Sequence, residues 1–459
     1  MSESMPPDPT QTDIATPTDG LSLAPFRALR YAVGPERLGE LLCPPYDVID
    51  ATERLRLLGT DEHNAVALVL PVAPDRNSEP KTGGPDAGAD PGPDPYLHAA
   101  ELLTDWTADG VLRVDNLPAL YIYEMRTDPA DGTPGSLTRG LLGAVELRNP
   151  ADGVILPHEN TMAGPVADRL ALMVATEANL EPIYLVYEGG GPASQVVADV
   201  DDADAIATAQ TPDGTTHRLW AITDPRAHDA VEGDLSLRRA LIADGHHRYA
   251  TYRQLQHHRQ EIDGGGPWDR GLALLVDTSA YGPEVHPIHR VLAGLDFDTA
   301  VEQAVARLSA TPFDSYPEAL SELDHAGPGF HAVITDGARA ALIGPPQQEL
   351  LDAHLGEDEP TALLDLDVTV LHRVVISDVW GLPDDETIVR YAHSADEAIG
   401  LARELRGTAV LLRATPVEAV AAVAAAGARM PRKSTLFTPK PASGLVIRRF
   451  ADQDPQTDG

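Results

Sequence analysis

The sequence predicts an α+β fold with mixed sheets, and three observations carry that expectation. Short apolar runs bounded by turn residues recur along the chain and read as buried strands, among them residues 241–243 and 271–276. Two further strands, at 119–123 and 139–147, are joined by a turn-rich connection at 128–136, which predicts an antiparallel hairpin rather than a uniform βαβ pattern. From Phe297 onward helical segments alternate with short strands at 332–334, 340–343 and 409–412, an α/β continuation.

Composition bounds the function. A chain of 459 residues divides into two or three domains on a prior of roughly 150 residues each. Acidic residues outnumber basic ones 71 to 34, and the net charge of -37 disfavours nucleic acid and anionic membrane as partners unless basic residues are segregated. With one cysteine, Cys43, neither a disulfide framework nor a multi-cysteine metal site can form, which fits a reducing cytoplasm. The first residues have neither the basic nor the apolar region of a secretion signal. The most apolar stretch, 417–428, is alanine-rich and short of the ~20 residues a spanning helix needs, so it reads as a packed helix.

In chain order, residues 1–20 carry too little apolar content to offset ordering entropy and are expected to form a tail. Pro44 and Pro45 hold an extended loop that presents Tyr46 and Asp47, either to the core or to a ligand. Cys43, with no basic neighbour in sequence, reads as a small buried hydrophobe. Residues 65–70 read as a strand, 71–95 as an exposed insertion, 96–106 as a helix stopped by Gly110. A strand at 153–156 runs into His158 and Glu159 before a helix at 166–178. A carboxylate at Glu159 could act as general base or hold a metal, or be an acid favoured by the helix dipole. Asp168 and Arg169 read as a solvated pair, 181–187 as a strand, and 199–210 as a connection or surface helix.

Everything else is arranged around residues 241–250. A buried strand breaks at Asp244 and Gly245, and a helix follows whose apolar spacing runs through Tyr249, Tyr252 and Leu255 until three glycines at 264–266 end it. His246, His247 and Arg248 thereby fall in a first helical turn, where unpaired N–H groups and the dipole favour an anion. Gly245 lets a ligand approach the main chain, so the motif is a phosphate-site candidate. His289 and Arg290 read as structural or as reaching the same pocket. Near the C-terminus, residues 419–451 hold six basic residues and no acidic one, including Lys433 and Lys440, two of the chain's three lysines. Lys433, Ser434 and Thr435 lack the glycines of a Walker loop, which leaves anion contact by side chains. An anion held in so acidic a protein needs nearby positive charge, and prolines 431, 439 and 441 would keep this segment extended across the cleft.

Four ordered motifs, P-P-Y-D-V-I at 44–49, P-H-E-N-T at 157–161, A-D-G-H-H-R-Y at 243–249 and M-P-x-K-S-T-x-F-x-P-K at 430–440, resemble those of the family called domain of unknown function 1015. The D-G-H-H-R stretch is similar to that of free-serine kinases of the ParB and sulfiredoxin superfamily. The resemblance implies a ParB/sulfiredoxin-like nucleotide-binding core at 140–292, flanked by an N-terminal α+β region at 21–139, a C-terminal α/β region at 293–450 and a second tail at 451–459. It further implies ATP or ADP with magnesium, a small hydroxylated metabolite such as free serine as substrate, Asp244, Gly245, His246, His247 and Arg248 on the phosphates, and Glu159 near the accepting hydroxyl. A sulfiredoxin reaction is disfavoured, because His246 stands where those enzymes need a cysteine. A nucleotide or metabolite sensor without catalysis and a ParB-like DNA-binding regulator are the alternatives to a small-molecule kinase. The oligomeric state is left open by the sequence.

Overall fold

The computed structural model describes residues 20–72, 94–128, 135–354 and 359–453, and they form mixed α+β structure with several sheets. The largest sheet has nine strands. Eight lie in the order Ile155–Leu156, Ala240–Asp244, Ile183–Tyr187, Arg270–Asp277, Ser136–Glu146, Leu120–Thr127, Thr216–Ile222 and Ala207–Gln210, and Leu23–Ala24 adds to Ser136–Glu146. The expected hairpin is there, with Leu120–Thr127 antiparallel to Ser136–Glu146. Among the described residues parallel pairing joins Ala240–Asp244 with Ile155–Leu156, and Ile183–Tyr187 with Arg270–Asp277.

Continuous apolar runs suit strands buried on both faces, and alternation sorts their side chains into two cores. Leu241, Ala243, Leu272, Leu274 and Val276 enter one core, whereas Ile242, Ala273 and Leu275 enter the other. The helix His246–Asp263 lays Tyr249, Tyr252 and Leu255 on that second core and packs against the helix Ala163–Thr176.

A second, six-stranded sheet is wholly antiparallel, in the order Leu308–Phe313, Ala340–Pro346, Ala332–Thr335, Thr408–Leu411, His289–Leu292, Val389–Ala392. The chain then returns to the first sheet. Leu436–Thr438 pairs with Glu284–His286, Ser443 bridges Cys43, Ile447 bridges Leu29, and Arg448–Arg449 pairs with Ala178–Asn179. The large sheet takes strands from both sides of residue 140, so sheet membership does not follow chain order.

Several local expectations are corrected. Residues 65–70 form a short helix, Val66–Val69, because the Asn64 side chain accepts from the Val66 amide at 2.9 Å and donates to the carbonyls of Glu40 and Leu42, starting a turn that apolar content cannot reveal. Within 199–210 a 3-10 turn leads into an edge strand, Ala207–Gln210, rather than a helix. The first residues of the expected second tail are structured: Phe450–Gln453 is a 3-10 turn whose Gln453 side chain bonds both backbone groups of Arg27. Likewise Gly20 already pairs with Ser236. The remaining tail residues, and 73–93 of the expected insertion, lie outside the described residues. The helix Val417–Ala425 is packed, and among the described residues no helix is long and apolar enough to cross a membrane.

Candidate functional site

The strand Ala240–Asp244 ends where Gly245 adopts φ 89°, a left-handed conformation that costs a residue with a Cβ, and the helix starts at His246. Gly245 is the N-cap, and no side chain caps this end. The Asp244 carboxylate is used otherwise. Its Oδ2 accepts from Arg248, and its Oδ1 lies 2.7 Å from Lys440 Nζ, which also donates to Asp47 Oδ2 at 3.1 Å. Burial opposes the charge on Lys440, but Asp244 and Asp47 outweigh it and raise its pKa. Burial likewise opposes the charge on Asp47, but Lys440 and Arg248 hold its carboxyl below the usual range.

Arg248 is bonded within the protein. Its guanidinium is buried, donating to the Pro182 carbonyl and to Asp244, and although burial acts to lower its pKa, Glu181, Asp244 and Asp47 raise it above the ordinary value. These bonds let its charge tie strand, turn and helix together. The expectation of a solvated pair is corrected for Arg169, since it is buried, donates to the Val69 carbonyl and lies 4.3 Å from the Tyr46 ring centroid as well as pairing with Asp168.

The two histidines differ. His246 is buried, and its Nε2 accepts the His158 amide at 3.3 Å, with the two rings edge to face at 4.5 Å. Burial and the neighbouring His158 push its pKa well below the ordinary value, so it is neutral at pH 7. His247 is half-buried and accepts the Met162 amide at 3.0 Å, and burial lowers its pKa less completely. His158 itself is buried, shares a 3.0 Å hydrogen bond with Thr435, and is pushed down to about 3 by burial.

Glu159 sits across from this turn. Its Oε1 accepts the Ser434 amide at 3.3 Å, and burial raises its pKa against the opposing influence of that N–H and of Lys433. The segment 430–440 does lie across the cleft: the Met430 amide donates to the His158 carbonyl, and Lys433 is exposed at φ 54° with no ion pair among the described residues. Residues from the segments 44–50, 158–162, 243–248, 386–393 and 432–442 line one cavity of about 1340 Å³. Glu159, Asp244, Gly245, His246, His247, Arg248, Lys433 and Lys440 all border it.

One contributor, Glu181, escapes sequence reasoning, and Asp47 and Arg290 take places that the sequence left open. Glu181 accepts the Tyr46 amide at 3.1 Å and the Ser443 hydroxyl at 2.8 Å, tying the proline loop to the C-terminal segment. Asp47 completes the Lys440 pair, and only its position in a rigid loop pointed to it. Arg290 reaches the Arg432 carbonyl at 3.1 Å from the second sheet. His289, by contrast, is buried and accepts the Leu412 amide, a structural contact. Cys43 is fully enclosed, and burial together with Glu181 raises its thiol pKa. A thiol reagent such as dithiobis(nitrobenzoate) is thus expected to leave the native protein untouched and to titrate one thiol in denaturant, read by absorbance.

Among the described residues no group of three or more His, Cys, Asp or Glu side chains could hold a metal. Magnesium needs less, since one or two carboxylates and substrate phosphates suffice. Asp244 spends both oxygens on Lys440 and Arg248, whereas Asp47 Oδ1 makes no hydrogen bond among the described residues.

The family model described as "Protein of unknown function (DUF1015)" matches residues 23–369. The chain belongs to this family. In this DUF1015 protein the match takes in three of the four motifs and ends before 430–440. No curated protein matches the chain. Among solved structures it is similar to a free serine kinase variant in complex with ADP, at 14% identity and TM-score 0.33, covering 62% of this chain and 84% of that one. A conserved hypothetical protein from Pyrococcus furiosus aligns at 14% identity and TM-score 0.33, over 65% and 94% of the two chains. C-terminally truncated SbnI from Staphylococcus aureus aligns at 12% identity and TM-score 0.34, over 69% and 90%.

Proposed function

We propose that the cavity binds a nucleotide, ATP or ADP with magnesium, and transfers a phosphoryl group to the hydroxyl of a small metabolite, free serine being the first candidate. The observation that carries this reading is the convergence on one cavity of a helix N-terminus behind Gly245 with no side-chain cap, the cation Lys433, without an ion pair among the described residues, and the half-buried carboxylate of Glu159. The first-turn N–H groups and Lys433 suit phosphate oxygens. A core of the ParB and sulfiredoxin type belongs to the same proposal and rests on the resemblance of the D-G-H-H-R motif.

In this mechanism Glu159 takes the proton of the acceptor hydroxyl as its oxygen bonds to the terminal phosphorus, and the bond pair between that phosphorus and the bridging oxygen leaves with the nucleotide. Lys433 and the helix end balance charge on the transferring group. Asp47 would help hold a magnesium ion, whose charge would further neutralise the phosphates. Asp244, Arg248 and Lys440 are a buried brace that sets the turn, His246 is a neutral acceptor that fixes the Pro157–Thr161 loop, and His247 stands at the rim.

The test is to incubate the protein with ATP or ADP, magnesium and pooled hydroxylated metabolites and search for a phosphorylated product by mass spectrometry. A product supports the kinase reading, whereas nucleotide binding without product leaves a sensor. Lys433→Ala is expected to weaken nucleotide binding by about 1–3 kcal/mol, the scale of a hydrogen bond to a charged group. Titration calorimetry reads this directly, and unchanged affinity would remove Lys433 from the site.

A further inference from the structure

Arg290 is fully buried, yet no carboxylate lies within ion-pair distance of it among the described residues. Its guanidinium is instead spread over neutral acceptors: His372 Nε2 at 3.0 Å from Nε, the carbonyl of Ile288, and the carbonyl of Arg432 at 3.1 Å, with the Tyr391 ring centroid 5.2 Å away. Burying a charge in this way is costly unless the bonds it makes are needed. His372 accepts on Nε2, so its Nδ1–H donates to Asp384 at 2.9 Å and the ring cannot turn over. The residue after the clamped carbonyl is Lys433, held at φ 54°, a conformation that persists in a residue with a Cβ only when its surroundings over-determine it. Ser434 adds two of those restraints, its hydroxyl to the Pro431 carbonyl and its amide to Glu159.

We infer that Asp384, His372 and Arg290 form a positioning chain, built by the loop before the strand Val389–Ala392, the π-helix Leu371–Val379 and the strand His289–Leu292, which sets the Lys433 turn over the cavity. The inference rests on the nucleotide reading for its purpose but not for its geometry. The same turn carries the Ser434 amide to Glu159, so the chain bears on both functional side chains of the rim. Its members are positioning residues, for each acts through the Arg432 carbonyl on the turn that carries Lys433.

The chain contains three lysines, Lys81, Lys433 and Lys440, so reductive ¹³C-methylation gives a small, assignable set of lysine signals that keep their charge. Asp384 is half-exposed, and Asp384→Ala is expected to fold with little change in melting temperature. In that variant, and in Arg290→Lys, the Lys433 signal should shift while those of Lys81 and Lys440 stay. Asp384→Asn, which keeps an acceptor for His372, should restore it. With ATP or ADP as the probe, Asp384→Ala should weaken binding roughly tenfold, as for one lost hydrogen bond, and should have no further effect in a Lys433→Ala background. A stationary Lys433 signal, or equal losses in both backgrounds, overturns the chain. If the unaltered protein binds neither nucleotide, the proposed function fails, and the methyl signals still decide the geometry.

Discussion

Glu159→Gln is expected to lower phosphoryl transfer by about 10²–10⁴-fold, the usual contribution of a general base, while nucleotide affinity changes little. The substitution keeps the size of the side chain and an oxygen for the Ser434 amide, so the fold around the cavity is preserved. What it removes is the group that accepts the proton. Burial raises the Glu159 pKa above that of an exposed glutamate, with Asp244 adding to the effect. A base works only when deprotonated, so turnover should fall as pH drops through this raised pKa, and the acid limb of the rate profile should stand above the ordinary carboxylate range. In the glutamine variant that limb should vanish along with most of the rate. A product-formation assay across pH checks both, and an undiminished rate would remove Glu159 from the chemistry.

Arg248→Gln should cost about 3–5 kcal/mol of stability, the scale for breaking a buried ion pair from one side. Asp244 would then keep Lys440 as its only cation, the Pro182 carbonyl would lose its donor, and Asp47 and Glu181 would lose a balancing charge. The loss should show as a lower midpoint in urea unfolding, where ΔG falls linearly with denaturant. This differs from Lys433→Ala, which touches an exposed side chain and should change affinity without moving the midpoint by more than about 0.5 kcal/mol. If Arg248→Gln unfolded at the same midpoint but lost nucleotide binding, the brace would be a ligand contact after all.

The sequence by itself determined the elements that depend on local signals. Strand 240–244, the Gly245 turn and the helix to Asp263 were legible because an apolar run, a glycine and a 3.6-residue spacing follow one another without competing signals. The basic segment was legible as an exception in an acidic chain, and its prolines as a reason for it to stay extended. The tertiary structure decided the rest. Residues 65–70 turned helical through Asn64, a side chain whose partners at Glu40 and Leu42 are far back in sequence. Arg248 and Lys433 are both cations near the same turn, yet one is a buried brace and the other an exposed charge, because Asp244, Glu181 and Pro182 converge on the first and no carboxylate pairs with the second among the described residues. Charge type can be read from a residue. Whether that charge is spent inside the protein depends on partners brought together from distant segments, here across 393 positions between Asp47 and Lys440, and no local pattern encodes that distance.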